Sequence, residues 1–306
     1  MNARCLDLPF DPTTLHGLSE TLLRSHHQNN YGGAVKRLNA IRTELASMPF
    51  GETPGSVVNG IKREELIATN SMVLHELYFA GLGGDGATMA PPMRLALEAS
   101  FESVERWRDE FVAMGKALGG GSGWVLLCFQ PRDGTLVNQW CADHTHGLAG
   151  GVPILALDMY EHAYHIDYGA AAAAYVDAFM SNVEWAGVYA RYRAAVDAAT
   201  DAIGADADDA SSAVVLDVRR AGVFAEAETM LPDARWLDPA DVAGWSTELP
   251  NDRAFVVYCV YGHEVGRATA LRMRSAGLDA RYLRGGIDAW QSAGRPVQRK
   301  ARAPQG

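Results

Sequence analysis

Apolar positions recur at helical spacing from about Ser19 to Ser47 and again from Lys62 to Ala80, with the turn-rich Pro49-Phe50-Gly51 and Pro54-Gly55 between them. This pattern predicts an antiparallel helical hairpin. A third helix is expected from roughly Pro92 to Ala117, stopped at Gly119-Gly120-Gly121. The rhythm then shortens. Trp124 to Phe129 and Leu136 to Cys141 flank the turn Arg132-Asp133-Gly134 and predict a strand hairpin. Val152 to Leu157 reads as a third strand, running into Asp158 and more helix to about Ala195. A helical hairpin plus a small antiparallel sheet with helices makes the first domain α+β.

From Asp197 to Ser212 small and acidic residues offer little to bury, so the run is expected to be a linker. Beyond it the pattern changes. Val214-Val215-Leu216 and Phe255-Val256-Val257-Tyr258 are short continuous apolar runs, suited to strands buried on both faces of a parallel sheet, and helical segments alternate with them. The expected division is a first domain over 1–196, a linker over 197–211 and a compact α/β domain over 212–306.

The chain has 306 residues, enough for two cores, and 48% hydrophobic with 21% charged residues is a globular composition. A net charge of −10 argues against nucleic acid or an anionic membrane surface as partner. No stretch reaches transmembrane length, and the N-terminal Met1-Asn2-Ala3-Arg4-Cys5-Leu6-Asp7 lacks the apolar run of a secretory signal. The four cysteines, Cys5, Cys128, Cys141 and Cys259, are too sparse and irregular for a disulfide framework. A cytoplasmic setting is expected.

The sharpest local chemistry is Asp158-Met-Tyr-Glu-His162, a carboxylate and an imidazole four residues apart just after an apolar strand. At a strand-to-helix junction both side chains can reach one centre. Asp158 through Tyr168 resembles the signature of the iron/manganese superoxide dismutases, and the likeness continues through Asn182-Val183-Glu184-Trp185 to Arg191-Tyr192. Leu8-Pro9-Phe10-Asp11, His26-His27 with Leu38-Asn39, His75 with Phe79, and Gly121-Ser122-Gly123-Trp124 resemble the family's other landmarks. The resemblance covers residues 8 to 192. It implies His26, His75, Asp158 and His162 as ligands of one iron or manganese ion per chain, superoxide as substrate, and a homodimer in which Glu161 bonds His162 of the other copy. Three imidazoles and one carboxylate suit a first-row transition metal and leave a further position open. His27 and His16 read as ordinary surface residues.

The chain departs from that family in several places. Ala34 stands where a Tyr is usual at the channel mouth; Tyr31 would supply the hydroxyl only if the helix register differed by a turn, and the Leu38-Asn39 anchor argues against that. Asn30 and His165 replace a His and a Tyr, and Tyr160, counted here among the catalytic residues, replaces a common Trp. With Ser71 four residues before His75, α-helical reach offers no Gln to orient the solvent ligand. The segment Cys141 to His146 must supply that group, His144 being the better match and His146 the alternative. An imidazole N–H donor there favours the oxidised ion; an acceptor favours the reduced one.

In the second domain, Cys259 follows the apolar strand ending at Tyr258 and opens Cys-Val-Tyr-Gly-His-Glu-Val265 before a helix. Backbone N–H groups and a helix N-terminus around the sulfur are expected to stabilise its thiolate. Leu216-Asp-Val-Arg219, Leu231-Pro-Asp-Ala234 and Leu283 through Trp290 resemble the rhodanese-like sulfurtransferases over residues 212 to 297. That resemblance implies Cys259 as a persulfide carrier between a sulfane-sulfur donor and a thiol acceptor. Glu264 stands where active members carry Arg; its charge opposes an anionic donor such as thiosulfate and raises the Cys259 pKa, with Arg267 as the compensating cation. The leading expectation is superoxide dismutation with an attached sulfur-carrying domain. The alternative is a non-catalytic oxidant or metal-stress sensor on the same two domains, and a facial-triad iron oxygenase is disfavoured by the third His.

Overall fold

The computed structural model describes residues 2–300. In the first part of the chain α1 (Glu20–Ser25) passes through a π-helical turn (His26–Tyr31) into α2 (Gly32–Ser47), and α3 (Gly55–Ala80) packs back along α2. Ser19 starts the run: its Oγ accepts from Leu22 N at 3.1 Å, satisfying one orphan donor of the first turn. Leu38, Ile41 and Ala68 form the seam of the hairpin, with Leu45, Ile61 and Met72 against it. Next come α4 (Pro91–Phe101), α5 (Val104–Ala117) and a sheet of β1 (Trp124–Gln130), β2 (Thr135–Cys141) and β3 (Val152–Asp158), ordered β2-β1-β3. A short 3₁₀ turn (Glu161–Ala163), α6 (His165–Tyr168), α7 (Ala172–Ser181) and α8 (Trp185–Thr200) follow.

The single helix expected over Pro92 to Ala117 is broken. Glu102 takes a left-handed φ of 72°, and Ser103 Oγ accepts from Arg106 N at 3.0 Å, capping a new helix. No Gly or Pro marks the break, so periodicity alone ran through it.

The later part carries β4 (Gly204–Ala205), β5 (Val214–Asp217), α9 (Ala221–Glu226), β6 (Thr229–Met230), β7 (Arg235–Trp236), α10 (Val242–Trp245), β8 (Ala254–Tyr258), α11 (Glu264–Ser275), β9 (Asp279–Leu283), α12 (Gly286–Ser292) and β10 (Gln298–Arg299). Five strands form a parallel sheet in the order β4-β9-β8-β5-β7, and β6 pairs antiparallel with β10. Phe255 and Val257 on one face of β8, and Val256 and Tyr258 on the other, enter two separate core clusters. That two-sided burial is why the strand reads as an unbroken apolar run. The helix-then-sheet first part and α/β second part agree with the fold class read from the sequence.

The run expected to be a linker is built into this sheet instead. β4 pairs with β9, Ala205 is fully buried, and Ala210 packs with Met230, Leu231 and Val256. Small residues there are small because the packing is close.

Contacts divide the chain into two compact units, one of Met1–Met89, Trp107–Cys128 and Asn138–Val188, the other of Ala90–Arg106, Phe129–Val137 and Tyr189–Gly306. Among the described residues no helix is long and apolar enough to cross a membrane.

Candidate metal centre and cysteine loop

Four elements each deliver one donor to a common point in the first unit. His26 opens the π-helical turn, His75 lies on the buried face of α3, Asp158 ends β3, and His162 sits in the 3₁₀ turn just after it. One ligand atom from each lies within 4.8 Å of all the others. Asp158 Oδ2 is 3.1 Å from His26 Nε2, 3.2 Å from His162 Nε2 and 3.5 Å from His75 Nε2. His26, His75 and Asp158 are buried, while the His162 side chain keeps 25% exposure.

Partners around the cluster fix how it can be used. His75 Nδ1–H donates to Ser71 O at 2.6 Å, which leaves a bare lone pair on Nε2, only 3.4 Å from His162 Nε2. Burial pushes the His75 pKa down to about 3, and burial lowers that of His26 and His144 too. Burial would raise the Asp158 carboxyl, but the imidazoles of His162 and His26 outweigh it and hold the group well below the usual carboxylate range. Tyr160 N donates to Asp158 Oδ1 at 2.9 Å, which leaves Oδ2 toward the histidines, and Tyr175 Oη donates to the backbone carbonyl of Asp158 at 2.7 Å. His75 Nε2 turns its bare lone pair toward Asp158 Oδ2 and His162 Nε2 in a dry pocket, a repulsion that a cation among these atoms would relieve. The donor set therefore fits a transition-metal ion, and the nitrogen-rich mix disfavours calcium or magnesium.

His144 lies next to this cluster, its ring centroid 6.3 Å from that of His75 and stacked at 4.8 Å on Tyr160. Trp124 Nε1–H donates to His144 Nδ1 at 3.0 Å. An indole nitrogen is a donor only, so the neutral His144 ring carries its proton on Nε2. Gly123 makes this approach possible: at φ 137° an added Cβ would lie 2.2 Å from Cys141 O. His146 points elsewhere, accepting from Ala142 N and stacking on exposed Trp140. Tyr160 itself stacks between His144 and His162, with its hydroxyl pushed up to about 12 by burial.

The wide π turn swings Tyr31 inward, where its ring lies 6.4 Å from that of His75. The Tyr31 hydroxyl accepts from Leu6 N and donates to Glu76 Oε1 at 2.9 Å, so it is engaged on both sides. Ala34 is buried, His165 and His16 are exposed, and His27 donates from Nε2 to Leu6 O. Glu161 is exposed and its side chain makes no hydrogen bond or ion pair with His162, whose Nδ1 has no hydrogen-bond partner among the described residues.

In the second unit Cys259 follows β8, and its loop returns to α11. Gly262, at φ 66°, leaves no room for a Cβ beside Leu283 O at 2.6 Å. Burial raises the Cys259 thiol pKa; N–H groups of Gly266, His263 and Gly262 pull it down, and the Glu264 charge pushes it up. Burial outweighs the cradle, against the expected stabilised thiolate. Glu264 accepts from Tyr189 Oη at 2.9 Å and pairs with Arg193 Nε at 3.4 Å. Arg267, the expected counter-cation, is instead bound to Asp197 at 3.2 Å and to Gly262 O, over the Tyr282 ring. Beneath the loop Asp217 is held by Arg219 and by Tyr258 Oη at 2.7 Å. The sequence reading missed Trp124 as partner of His144, although it lies in a quoted motif, and missed Tyr189 and Arg193. Their spacing of four marks one helix face and nothing more.

A family model for the C-terminal domain of iron/manganese superoxide dismutases matches residues 89–191, and a rhodanese-like domain model matches residues 200–293. An iron superoxide dismutase of Cupriavidus metallidurans is 63% identical over 189 residues, covering 62% of this chain and 95% of the relative. An iron superoxide dismutase of Aquifex pyrophilus is 31% identical, covering 61% and 90%, and a manganese superoxide dismutase of Haloferax volcanii is 35% identical, covering 62% and 95%.

Proposed function

The chain belongs to the iron/manganese superoxide dismutase family and carries a rhodanese-like domain after the dismutase part, and on that premise we propose that its first domain dismutes superoxide at an iron or manganese ion held by His26, His75, Asp158 and His162. The convergence of these four donors in a buried pocket carries the reading. When bound, such an ion would supply one-electron redox chemistry, through which two superoxide anions and two protons from solvent give one dioxygen and one hydrogen peroxide.

The protein's residues set the conditions for that exchange. Ser71 O fixes the His75 tautomer, Tyr160 N and Tyr175 Oη fix Asp158, and the surrounding aromatic rings of Tyr78, Phe79 and Trp124 exclude water. His144, held by Trp124 beside the cluster, carries a proton on Nε2 and is available as a hydrogen-bond donor there. A donor stabilises negative charge there and so favours the oxidised ion. Exposed Glu161 and the unpartnered His162 Nδ1 support a homodimer in which each meets its counterpart on the second copy. In the rhodanese-like domain, taken as following a first domain over 1–196, Cys259 carries sulfane sulfur to a thiol acceptor. All four cysteines are free, which supports a reducing, cytoplasmic setting.

Metal analysis of the purified full-length protein, alongside an assay of superoxide removal, tests the first domain. About one iron or manganese per chain with rapid removal is expected; a metal-replete protein without activity would overturn the enzymatic reading.

A further inference from the structure

α3 contains no Gln, yet it reaches His144 from the residue before Ser71. Asn70 Nδ2 donates to the His144 carbonyl oxygen at 2.5 Å, across 74 residues of sequence. A carbonyl only accepts, so the amide nitrogen of Asn70 must be the atom that faces it. The next residue, Ser71, fixes the His75 tautomer through its own carbonyl. Two adjacent residues of α3 thus hold a ligand ring and the loop that carries the neighbouring imidazole. The loop itself ties down the residues on either side. Asp143 Oδ1 accepts from Thr145 N and from Thr145 Oγ1, and Ala142 N donates to His146 Nδ1. His144 is held from other elements: Trp124 donates to its Nδ1 at 3.0 Å, Tyr160 stacks on its ring at 4.8 Å, and its N–H faces the Tyr160 hydroxyl. One hydrogen bond at Nδ1 leaves a ring free to pivot about that atom, and a stacked face lets it slide. Fixing the carbonyl sets the backbone from which the side chain starts, and so removes the remaining freedom.

Resting on the reading of His26, His75, Asp158 and His162 as the metal ligands, we propose that Asn70 is a positioning residue of the dismutase centre, its amide holding the His144 peptide so that the Nε2–H stays available beside the ligand set. Asn70 acts through His144 alone. It supplies from α3 what a long amide one residue later would supply directly, with the loop imidazole as intermediary.

Two variants of the full-length protein test this. Asn70→Ala removes the amide and, Ala being the better helix former, does not weaken α3. Asn70→Asp keeps the shape but loses the N–H. In ¹⁵N spectra of the metal-free protein, both should move the His144 Nδ1 signal from the position of a hydrogen-bonded acceptor toward the average of the two tautomers. In the metal-loaded protein, Asn70→Ala should leave metal content unchanged, raise the midpoint potential in the direction of His144→Ala, and slow turnover about 2–10-fold, the worth of one hydrogen bond. Added to His144→Ala, it should shift the potential no further, because the ring through which it acts is already gone. An unaltered spectrum in both variants, a change in Asn70→Ala that Asn70→Asp does not share, loss of metal from Asn70→Ala, or full additivity in the double variant would overturn the assignment while leaving the metal centre in place. Absence of metal from the unaltered protein would remove the reading on which it rests.

Discussion

The metal cluster and the cysteine loop both bury a reactive group, and they do so by opposite routes. His26, His75, Asp158 and His162 come from four elements spread over more than half of the first unit. Cys259 and the N–H groups that face it come from one loop of a few residues. The electrostatics differ as well. At Asp158 neighbouring imidazoles overcome burial and keep the carboxylate charged; at Cys259 burial prevails and the thiol is held protonated. A site assembled from distant side chains can surround an anion with compensating groups on all sides. A backbone loop offers only partial dipoles, and here one of its own residues, Glu264, works against them.

The largest expected effect breaks one half of the contrast without touching the other. Replacing Asp158→Ala and His162→Ala together removes two of the four donors, so bound iron or manganese should fall by more than the ~10–100-fold typical of losing an outer partner. Elemental analysis measures this, and alkylation of Cys259 serves as the control that should not change. Unchanged metal content would mean that the cluster is not the site.

His144→Ala should leave metal content near wild type, since no donor is lost, while raising the midpoint potential and slowing turnover by about 10–100-fold. Trp124→Phe should act in the same direction by freeing the tautomer. In ¹⁵N spectra of the metal-free protein, the His144 Nδ1 signal should then lose the position of a hydrogen-bonded acceptor. An unaltered spectrum would show that the indole does not set the proton.

At the cysteine loop the effect is smaller and has a definite sign. A raised thiol pKa means less thiolate at any given pH, so Cys259 alkylation should rise with pH along a curve whose midpoint lies above the ~8.5 of a free cysteine. Glu264→Gln removes a charge that opposes the thiolate, so the midpoint should move down, though it should stay above the free value because burial is the larger cause. A midpoint below ~8.5 in the unaltered protein would mean that the cradle prevails after all. The smallest effect belongs to His146→Ala. With the ring stacked on exposed Trp140, its loss should leave potential and turnover unchanged within error.

Read alone, the sequence determined most element types, the two-part organisation, the candidate ligands and a candidate nucleophile. Those features are written in short-range patterns. Asp158 and His162 are four residues apart, the apolar runs of β5 and β8 have strand length, and Cys259 stands between a strand and a helix. The helix break at Glu102 and the β4 strand left no such mark, because a left-handed φ without Gly and a buried pair of small residues both look like ordinary surface sequence. Only the tertiary structure put the His144 ring beside the cluster, held by an indole N–H from Trp124 twenty residues away in the chain, and turned His146 onto Trp140. It alone turned Tyr31 inward on a π-helical turn and engaged its hydroxyl with Glu76. It alone gave Glu264 to Tyr189 and Arg193 while drawing Arg267 off to Asp197. Which cation meets which anion depends on the three-dimensional path of the chain, and no local spacing encodes a partner some seventy residues distant.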